Sequence, residues 1–307
     1  MSQKIFCDIF AGTGIVGRTF KTSVKRVISN DTEYYSYVLN KNYIENHKPI
    51  ENTETFISEL NSLPLTSDGF VYKNYCLGGS GERQYFSDEN GKKIDAIRTK
   101  IEEWKNNGEI NSNMYYFLLC SLLESADKVA NTASVYGAYL KNLKKSAQKK
   151  LVLESSEYEI NVNEHQIFNK NANELITEIS GDILYLDPPY NSRQYGANYH
   201  LLNTIAEYKP FVPNGKTGLR DYYRSKYCSA HSVKEEFENL IKNAQFKYIF
   251  LSYNNEGLMS AYEIKKIMSE YGRYNLAQTE YQRFKADSNR FNKADSTVEY
   301  VHILEKK

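Results

Sequence analysis

Three residues have groups suited to hold an amino group on a flat ring: Asp187, Pro188 and Tyr190, in the segment GDILYLDPPY (residues 181–190). The run 182–186 predicts a buried strand, bounded by glycine on one side and proline on the other. Two consecutive prolines end that strand, because proline has no N–H to donate and a fixed φ. The chain therefore leaves the sheet in a rigid turn at the strand's carboxyl end, where open α/β sheets bind ligands.

This turn presents two acceptors beside an aromatic surface. The Asp187 carboxylate and the Pro188 carbonyl can accept both N–H bonds of an exocyclic amine, and the Tyr190 ring can stack on a planar heterocycle. The same four residues also fit an ordinary strand that ends at a proline turn, since short motifs often match by accident. A second motif is needed to choose between these interpretations.

The second motif lies near the start of the chain. Residues 4–10, KIFCDIF, predict a strand that runs directly into AGTGIVGRTF, in which Gly12, Gly14 and Gly17 have the spacing GxGxxG. This pattern is informative when it lies between a strand and a helix, as here. Glycine permits a tight turn and a close ligand approach, and the following helix offers free N–H groups to an anion.

An acidic residue follows the next predicted strand, residues 24–29. Asp31 at its carboxyl end is placed to accept both hydroxyls of a ribose. Asp31 equally predicts an N-cap for the helix TEYYSYVLNKNY, and the two roles do not exclude each other. A dinucleotide-binding dehydrogenase would show the same glycine turn and acidic residue, but it has no use for the Asp-Pro-Pro-Tyr turn.

The composition limits the function. With 307 residues and a net charge of +1, the chain is a large α/β domain or a domain with an insertion, and any nucleic-acid surface must be a local patch. The cysteines lack CxxC or Cys/His pairing, which argues for reduced, buried thiols and against zinc or disulfides. They are Cys7, Cys76, Cys120 and Cys228. No signal peptide or long apolar run is present, so we expect a soluble cytoplasmic protein.

In this order, FAGTG (residues 10–14), Asp31 and LDPPY (residues 186–190) resemble the D12 class of S-adenosylmethionine-dependent DNA N6-adenine methyltransferases, which includes the Dam-like enzymes. The similarity continues through residues 190–208 and 247–257. It implies a Rossmann-like α/β methyltransferase fold. In that fold a mixed, mostly parallel sheet ends in an antiparallel hairpin, and a mainly helical DNA-recognition region is inserted.

The resemblance also assigns roles to residues. It implies that the glycine turn holds the methionine part of S-adenosylmethionine, that Asp31 binds the ribose, and that the Asp-Pro-Pro-Tyr turn binds a flipped adenine. The cofactor-binding residues expected on this basis are Asp8, Phe10, Gly12, Gly14, Asp31, Asn171 and Asp187. The expected catalytic residues are Asp187, Pro188 and Tyr190.

Two of these assignments need comment. Asp8, just before the glycine turn, is the candidate partner of the cofactor's α-amino group. Asn171 stands where the family often has an acidic residue that contacts the cofactor's adenine, and an amide can make that contact. Asn171 also fits a surface turn. The family usually carries a lysine- and glycine-containing segment ahead of the first strand, whereas four residues precede Ile5, so either other residues make its contacts or the segment is not needed.

We expect residues 1–44 and 159–307 to form the catalytic domain and residues 45–158 to form the target-recognition region. Two helices are predicted there, IDAIRTKIEEWKNNG and MYYFLLCSLLESADKVAN, from their apolar spacing. A basic and aromatic stretch after them suggests a duplex-facing surface, although a lysine run also fits a solvated helix face. The candidate DNA contacts are Tyr136, Lys141, Lys144, Lys145, Arg193, Arg220 and Arg224.

Two further segments flank the expected site. The irregular residues 210–232 predict a mobile lid over the base and its phosphates. A terminal hairpin, residues 274–284 and 297–305, predicts the antiparallel strands of the sheet. Three basic residues at its tip are candidate phosphate contacts: Lys285, Arg290 and Lys293.

The expected function is site-specific methyl transfer from S-adenosylmethionine to N6 of a flipped adenine in double-stranded DNA, without a metal, within a restriction-modification system and beside a companion restriction endonuclease. N4-cytosine methylation uses the same array, commonly with serine as the first residue, so Asp187 favours adenine without deciding it. RNA base amino-methylation is a further alternative. C5-cytosine methylation needs a Pro-Cys nucleophile, which the sequence lacks. From a different class, the chain would be a catalytically inactive DNA-binding module.

Overall fold

The computed structural model describes residues 4–282 and 296–307, and its contacts divide the chain into two compact units. The first unit comprises the described parts of Met1–Thr32, Glu164–Gln194 and Arg224–Lys307. The second comprises Glu33–Asn163 and Tyr195–Tyr223. The second unit therefore begins before residue 45 and includes a segment that we had expected in the catalytic domain.

The described helices are numbered in chain order. They are α1 Ile15–Phe20, α2 Tyr34–Asn40, α3 Thr53–Ser62, α4 Phe70–Tyr75, α5 Asp88–Asn106, α6 Ser112–Lys128, α7 Ala172–Leu175, α8 Tyr195–Asn198, α9 His200–Glu207, α10 Val233–Asn243 and α11 Ala261–Tyr271. A π-helical turn, Lys41–Glu45, extends α2, and a 3₁₀ turn lies at Lys226–Cys228.

The first unit is built on a sheet whose described strands number seven. They are β1 Ile5–Asp8, β2 Arg26–Asn30, β3 Gln166–Phe168, β4 Ser180–Leu186, β5 Gln245–Asn254, β6 Gly272–Gln282 and β7 Ser296–Lys306. The strand order is β3-β2-β1-β4-β5-β7-β6. Strands β1 to β5 pair in parallel, and β7 runs antiparallel to both β5 and β6. The predicted mixed sheet with a terminal antiparallel hairpin is confirmed.

The strand order fixes where a ligand can bind. Successive strands are added on one side of β1 as far as β3, and then β4 is added on its other side. Such a reversal leaves a crevice at the carboxyl ends of the two central strands. Asp8 ends β1 and pairs with Tyr185 of β4, which leads directly to Asp187. The two predicted motifs therefore meet at this crevice.

Helices α10 and α11 cover an apolar face of the sheet. Phe237, Leu240 and Ile241 of α10 are fully buried at helical spacing, and Ile249 of β5 lies in the same core cluster. Burial of each such side chain contributes about 1.5–3 kcal/mol. The predicted capping box at the start of α11 is confirmed, since the Ser260 hydroxyl accepts from the Glu263 N–H and the Glu263 carboxylate accepts in return.

The second unit has a helical core. Helices α5 and α6 confirm the two predicted helices, with Ile97, Ile101 and Leu118 fully buried. After α5, Gly108 has a φ of 72°, a left-handed conformation that favours glycine. The described residues 129–151 form no helix. The alternative interpretation of the lysine run as a solvated helix face is therefore wrong, because the run lies in an irregular loop.

The segment that we expected to be a mobile lid is tied down where it belongs to the second unit. Asn214 and Leu219 form a β-bridge. The Arg83 guanidinium donates to the Gly215 carbonyl (3.1 Å), and the Tyr75 hydroxyl donates to the Gly218 carbonyl (2.7 Å). The bonds from Arg83 and Tyr75 hold residues 215–218 to the body of this unit, and the bridge closes the turn itself, which is not the arrangement expected of a mobile lid.

Some predictions concern residues beyond those described. Lys285, Arg290 and Lys293, together with Phe284 at the end of a predicted strand, lie outside the described residues. All four cysteines are buried free thiols, as expected. None of the helices in the described ranges has the length and apolar character needed to cross a bilayer.

Candidate active site

The glycine turn follows β1 immediately. The Ala11 N–H donates to the Asn30 carbonyl (2.9 Å), and the Gly14 N–H donates to the Ala11 carbonyl (2.7 Å), which closes the turn before α1. Gly12 and Gly14 have φ values of 51° and 78°, so both need the left-handed conformation that glycine adopts without strain. Apart from the two flanking residues, no atom in the described part of the chain lies within 4 Å of a Cβ built on Gly12. The turn is therefore open on the side that a ligand would approach.

Asp8 is a buried carboxyl beneath this turn, 1% exposed. Burial is the largest cause that raises its pKa to about 8, followed by the charges of Asp187 and Asp31. A hydrogen bond from the Gly17 N–H opposes the shift. Its Oδ1 atom has no hydrogen-bond partner among the described residues. A buried acceptor without a partner is costly, and a cationic group in the crevice would satisfy it.

Asp31 joins the end of β2 to the glycine turn. Its Oδ2 atom accepts a hydrogen bond from the Gly12 N–H (2.8 Å). The N-cap residue of α2 is Glu33, so the capping role predicted for Asp31 is wrong. Asp31 therefore stays a candidate ligand-binding residue beside the glycine turn.

Asn30 is a site residue that the sequence did not single out. Its side chain is buried, and its amide donates to the carbonyls of Ile9 (3.0 Å) and Lys170 (3.1 Å). Its Oδ1 atom accepts from the Lys170 N–H (2.9 Å). These bonds fix the segments that follow β1, β2 and β3. The available signal was a polar residue at the end of an otherwise apolar strand.

The Asp-Pro-Pro-Tyr turn follows β4, as predicted. Pro188 is buried, whereas Asp187 and Tyr190 reach solvent. The Tyr190 carbonyl accepts from the Leu258 N–H (3.0 Å), and the Tyr190 ring meets the edge of the Tyr253 ring at 6.5 Å. A T-shaped contact covers at most one face of the Tyr190 ring, and this side chain is 36% exposed.

The Asp187 carboxyl reaches solvent but has protein packed around it. This partial desolvation, followed by the charge of Glu299, raises its pKa to about 6. The Asp187 charge in turn raises the pKa of Asp8, so the two carboxyls lie close enough to interact. Asp187 is thus an acceptor with an increased affinity for protons, next to an aromatic ring.

Phe10 and Asn171 lie on the same unit. The Phe10 ring is half-buried and contacts the Tyr227 ring at 5.1 Å. The Asn171 side chain caps α7, since its Oδ1 atom accepts from the N–H groups of Asn173 (2.8 Å) and Glu174 (3.4 Å). This is the surface-turn role predicted as the alternative to adenine binding.

The structure places the candidate DNA contacts in different surroundings. Tyr136 is buried, and its hydroxyl donates to Asp127 (2.5 Å), which contradicts the prediction that its ring faces a duplex. The Lys144 ammonium donates to the Thr132 carbonyl (2.8 Å). Arg220 pairs with Glu207 (2.8 Å). The remaining candidates, Lys141, Lys145, Arg193 and Arg224, are exposed.

A sheet of this order, with a glycine turn after its first strand and an Asp-Pro-Pro-Tyr turn after the adjacent strand, defines a Rossmann-like methyltransferase that acts on an amino group. Residues 2–270 match the family described as D12 class N6 adenine-specific DNA methyltransferase. The chain belongs to that family, and it is therefore an adenine-specific DNA methyltransferase.

Individual relatives agree with this assignment. The chain is 64% identical over 308 residues to the type II methyltransferase M.NlaIII of Neisseria lactamica, covering 100% of this chain and 92% of that protein. It is 37% identical to the type II methyltransferase M.CviAII of Paramecium bursaria Chlorella virus 1, covering 97% and 90%. It is 39% identical to M.FokI of Planomicrobium okeanokoites, covering 98% of this chain but 48% of that protein.

Proposed function

We propose that this protein transfers a methyl group from S-adenosylmethionine to N6 of an adenine that is rotated out of duplex DNA into the crevice between β1 and β4. One observation carries the proposal. Parallel pairing of β1 with β4 brings the glycine turn and the Asp-Pro-Pro-Tyr turn to one sheet edge, and Asp187 and Asp8 lie close enough there to interact electrostatically.

The residues present fit S-adenosylmethionine. Asp8 offers the α-amino group a buried oxygen that has no partner in the described part of the chain, and the space over Gly12 admits a ligand close to the backbone. Asp31, held on the Gly12 N–H, would accept from the ribose hydroxyls, and Phe10 would contact the methionine part. When bound, this cofactor supplies a methyl group activated by its positive sulfur.

The protein's groups would act on the base. Extrusion of an adenine costs a few kcal/mol of unstacking, which stacking on Tyr190 would partly offset. The Asp187 carboxylate and the Pro188 carbonyl would accept the two N6 hydrogens and so favour a pyramidal nitrogen with its lone pair toward the methyl group. Alignment of the two reactants supplies much of the acceleration. Asp187 would also stabilise the positive charge that develops on N6.

Replacing Gly12 with alanine tests the cofactor's place. The left-handed φ makes the variant less stable by about 1–2 kcal/mol, and the new methyl group would project into the open space over the turn. We expect the dissociation constant for S-adenosylmethionine to rise about tenfold, measured by calorimetry. Gly108→Ala is the matched control, since Gly108 has a φ of 72° and equally open surroundings. An equal loss of affinity in both variants would contradict the assignment.

Replacing Tyr190 separates stacking from hydrogen bonding. Tyr190→Ala removes the ring, and we expect kcat/KM for duplex DNA to fall about 10- to 100-fold, because aromatic stacking on a base contributes about 1–3 kcal/mol. Tyr190→Phe keeps the ring and should stay within about threefold of the wild type. The measurement is the initial rate of methyl incorporation against DNA concentration. Equal damage in the two variants would assign the effect to the hydroxyl instead.

We assign DNA recognition to the inserted region, residues 45–158, in which the exposed Lys141 and Lys145 would contact phosphates. We extend this assignment to residues 195–223, because they belong to the same compact unit. Arg193 and Arg224 are the exposed candidates on the first unit. The relatives named type II methyltransferases support a restriction-modification role with a companion endonuclease.

The direct test is expression in a host that lacks adenine methylation, followed by mapping of modified bases along its genome. N6-methyladenine at one recurring sequence is the expected result. N4-methylcytosine at such a sequence would redirect the proposal to the other amino base, and methylated transcripts with unmodified DNA would redirect it to RNA. Bound DNA without cofactor affinity would indicate an inactive binding module.

A further inference from the structure

We infer that Glu299 is a positioning residue for the transfer reaction, whose carboxylate acts through Asp187 and makes Asp187 the acceptor of the proton that N6 loses. The inference rests on the proposed function. It adds a residue that lies more than a hundred positions beyond the Asp-Pro-Pro-Tyr turn and belongs to no motif in the sequence.

The sheet holds Glu299 at the same edge as the site. Glu299 lies on β7 directly opposite Asn254, the last residue of β5, and the Asn254 side chain hydrogen-bonds to its carboxyl. The Asn255 side chain, through Oδ1, accepts from the Val298 N–H (3.1 Å) and the Thr297 hydroxyl (2.8 Å). The backbone just before Glu299 is therefore fixed to the segment that leaves β5.

That same segment is bonded to the catalytic turn. The pairing of β5 with β4 ends at Leu251 opposite Leu186, and Leu186 is the residue just before Asp187. The Leu258 N–H donates to the Tyr190 carbonyl (3.0 Å), and the rings of Tyr190 and Tyr253 are in contact. The loop after β5 thus connects Glu299 to the turn through main-chain and side-chain bonds.

Several groups face Asp187 from the surrounding elements. They are Asp8 from β1, Tyr185 from β4, Tyr190 from the turn and Glu299 from β7. The charge of Asp31 raises the pKa of Asp8. For Tyr190, the charge of Arg193 lowers the pKa and that of Glu256 raises it. The Glu299 carboxylate is the neighbouring charge that raises the pKa of Asp187, after desolvation. A carboxylate with a raised pKa is a stronger base at the pH of the cell.

The proton balance needs such a base. As the N6–methyl bond forms and the donor's sulfur–methyl bond breaks, N6 is left with a methyl group, two hydrogens and a positive charge. One N6–H bond then breaks, its electron pair stays on nitrogen, and its proton passes to Asp187. The protonated Asp187 returns the proton to water after the methylated base leaves. Glu299 takes no proton itself; its charge increases the proton affinity of Asp187.

The test is the pH dependence of single-turnover methylation in Glu299→Gln. In the wild type the rate should fall as pH drops through about 6, because a protonated Asp187 cannot accept. Loss of the Glu299 charge lowers the pKa of Asp187, so the midpoint of this fall should move to lower pH, by about half a pH unit. The rate at pH 8 should fall by at most about threefold, because Asp187 becomes a weaker base by about half a pH unit.

Two further variants make the result decisive. Glu256→Gln removes a carboxylate that acts on Tyr190 but not on Asp187, and its midpoint should match the wild type. Glu299→Asp keeps the charge and should also keep the wild-type midpoint. A lower rate in Glu299→Gln with an unmoved midpoint, or equal movement in Glu299→Asp, would overturn the inference. Failure of the proposed function itself would appear differently, as a wild type that methylates no DNA at any pH.

Discussion

Asp187→Asn is expected to lower kcat for adenine methylation about a thousandfold while leaving the fold intact. The substitution keeps the size of the side chain but replaces an ionised acceptor by a neutral amide. Removal of one group that stabilises developing charge costs about 10²–10³ in kcat. Asp187 also accepts an N6 hydrogen in the proposed arrangement, so the upper end of that range applies.

The measurement is single-turnover methyl transfer to a duplex, with cofactor affinity and thermal unfolding followed in parallel. The dissociation constant for S-adenosylmethionine should stay within about fivefold of the wild type, because the glycine turn and Asp8 are unchanged. Glu256→Asn, an exposed carboxylate after β5, is the control for loss of one nearby charge. Retained methylation in Asp187→Asn would exclude the role assigned to this carboxylate.

Asp8→Asn is expected to weaken S-adenosylmethionine binding about 100-fold at pH 8, because truncating one partner of a buried charge pair costs at least about 2 kcal/mol. The raised pKa adds a second signature. With a pKa of about 8, the unliganded carboxyl is mostly protonated at pH 7, and binding of a cationic amino group would displace that proton. Affinity in the wild type should therefore rise as pH increases toward about 8.

Calorimetry in two buffers of different ionisation enthalpy measures the protons released on binding. The wild type should release more protons at pH 7 than Asp8→Asn does. The ligand's own amino group titrates near pH 8 and exchanges protons as well, so only the difference between the two proteins reports on Asp8. Asp221→Asn, an exposed carboxylate on the second unit, controls for the lost charge. Identical proton release in the wild type and Asp8→Asn would contradict the proposed contact.

The same pKa has a consequence for stability. Because the folded pKa of Asp8 lies above its ordinary value of 3.8, the folded protein binds this proton more tightly than the unfolded chain does. The contribution of this proton to the free energy of unfolding is fully present below about pH 4 and is lost as pH rises toward about 8. Asp8→Asn should therefore lose less stability than the wild type over that interval.

The sequence predicted the central part of the site because its determinants are local. Glycine permits turns at positive φ, consecutive prolines end a strand because they lack an N–H, and the apolar runs before them place both motifs at strand ends. Asp8, Gly12 and Asp187 could therefore be found without coordinates. Helices α5 and α6 were predictable for a similar reason, since their apolar residues repeat at helical spacing.

The remaining features depend on long-range packing. Tyr136 stands among lysines in the sequence, yet its ring is buried and its hydroxyl bonds to Asp127 at the end of α6. Composition gives no sign of which face of a loop turns inward. Glu299 approaches Asp187 only through the register of β7 on β5, and that register is set by pairing along the whole strand.

The second unit, to which we assign DNA recognition as a proposal, is made of two chain segments, and this limits how the unit can be exchanged between relatives. Residues 195–223 are held to residues 33–163 by specific bonds, including those from Arg98 to the Ile205 and Ala206 carbonyls and from Arg83 to the Gly215 carbonyl. A chimaera that transplanted only the longer segment would bring together donors and acceptors from different parents. Recombination that preserves folding must move both segments together, so new specificities should arise by paired exchange or by gradual substitution.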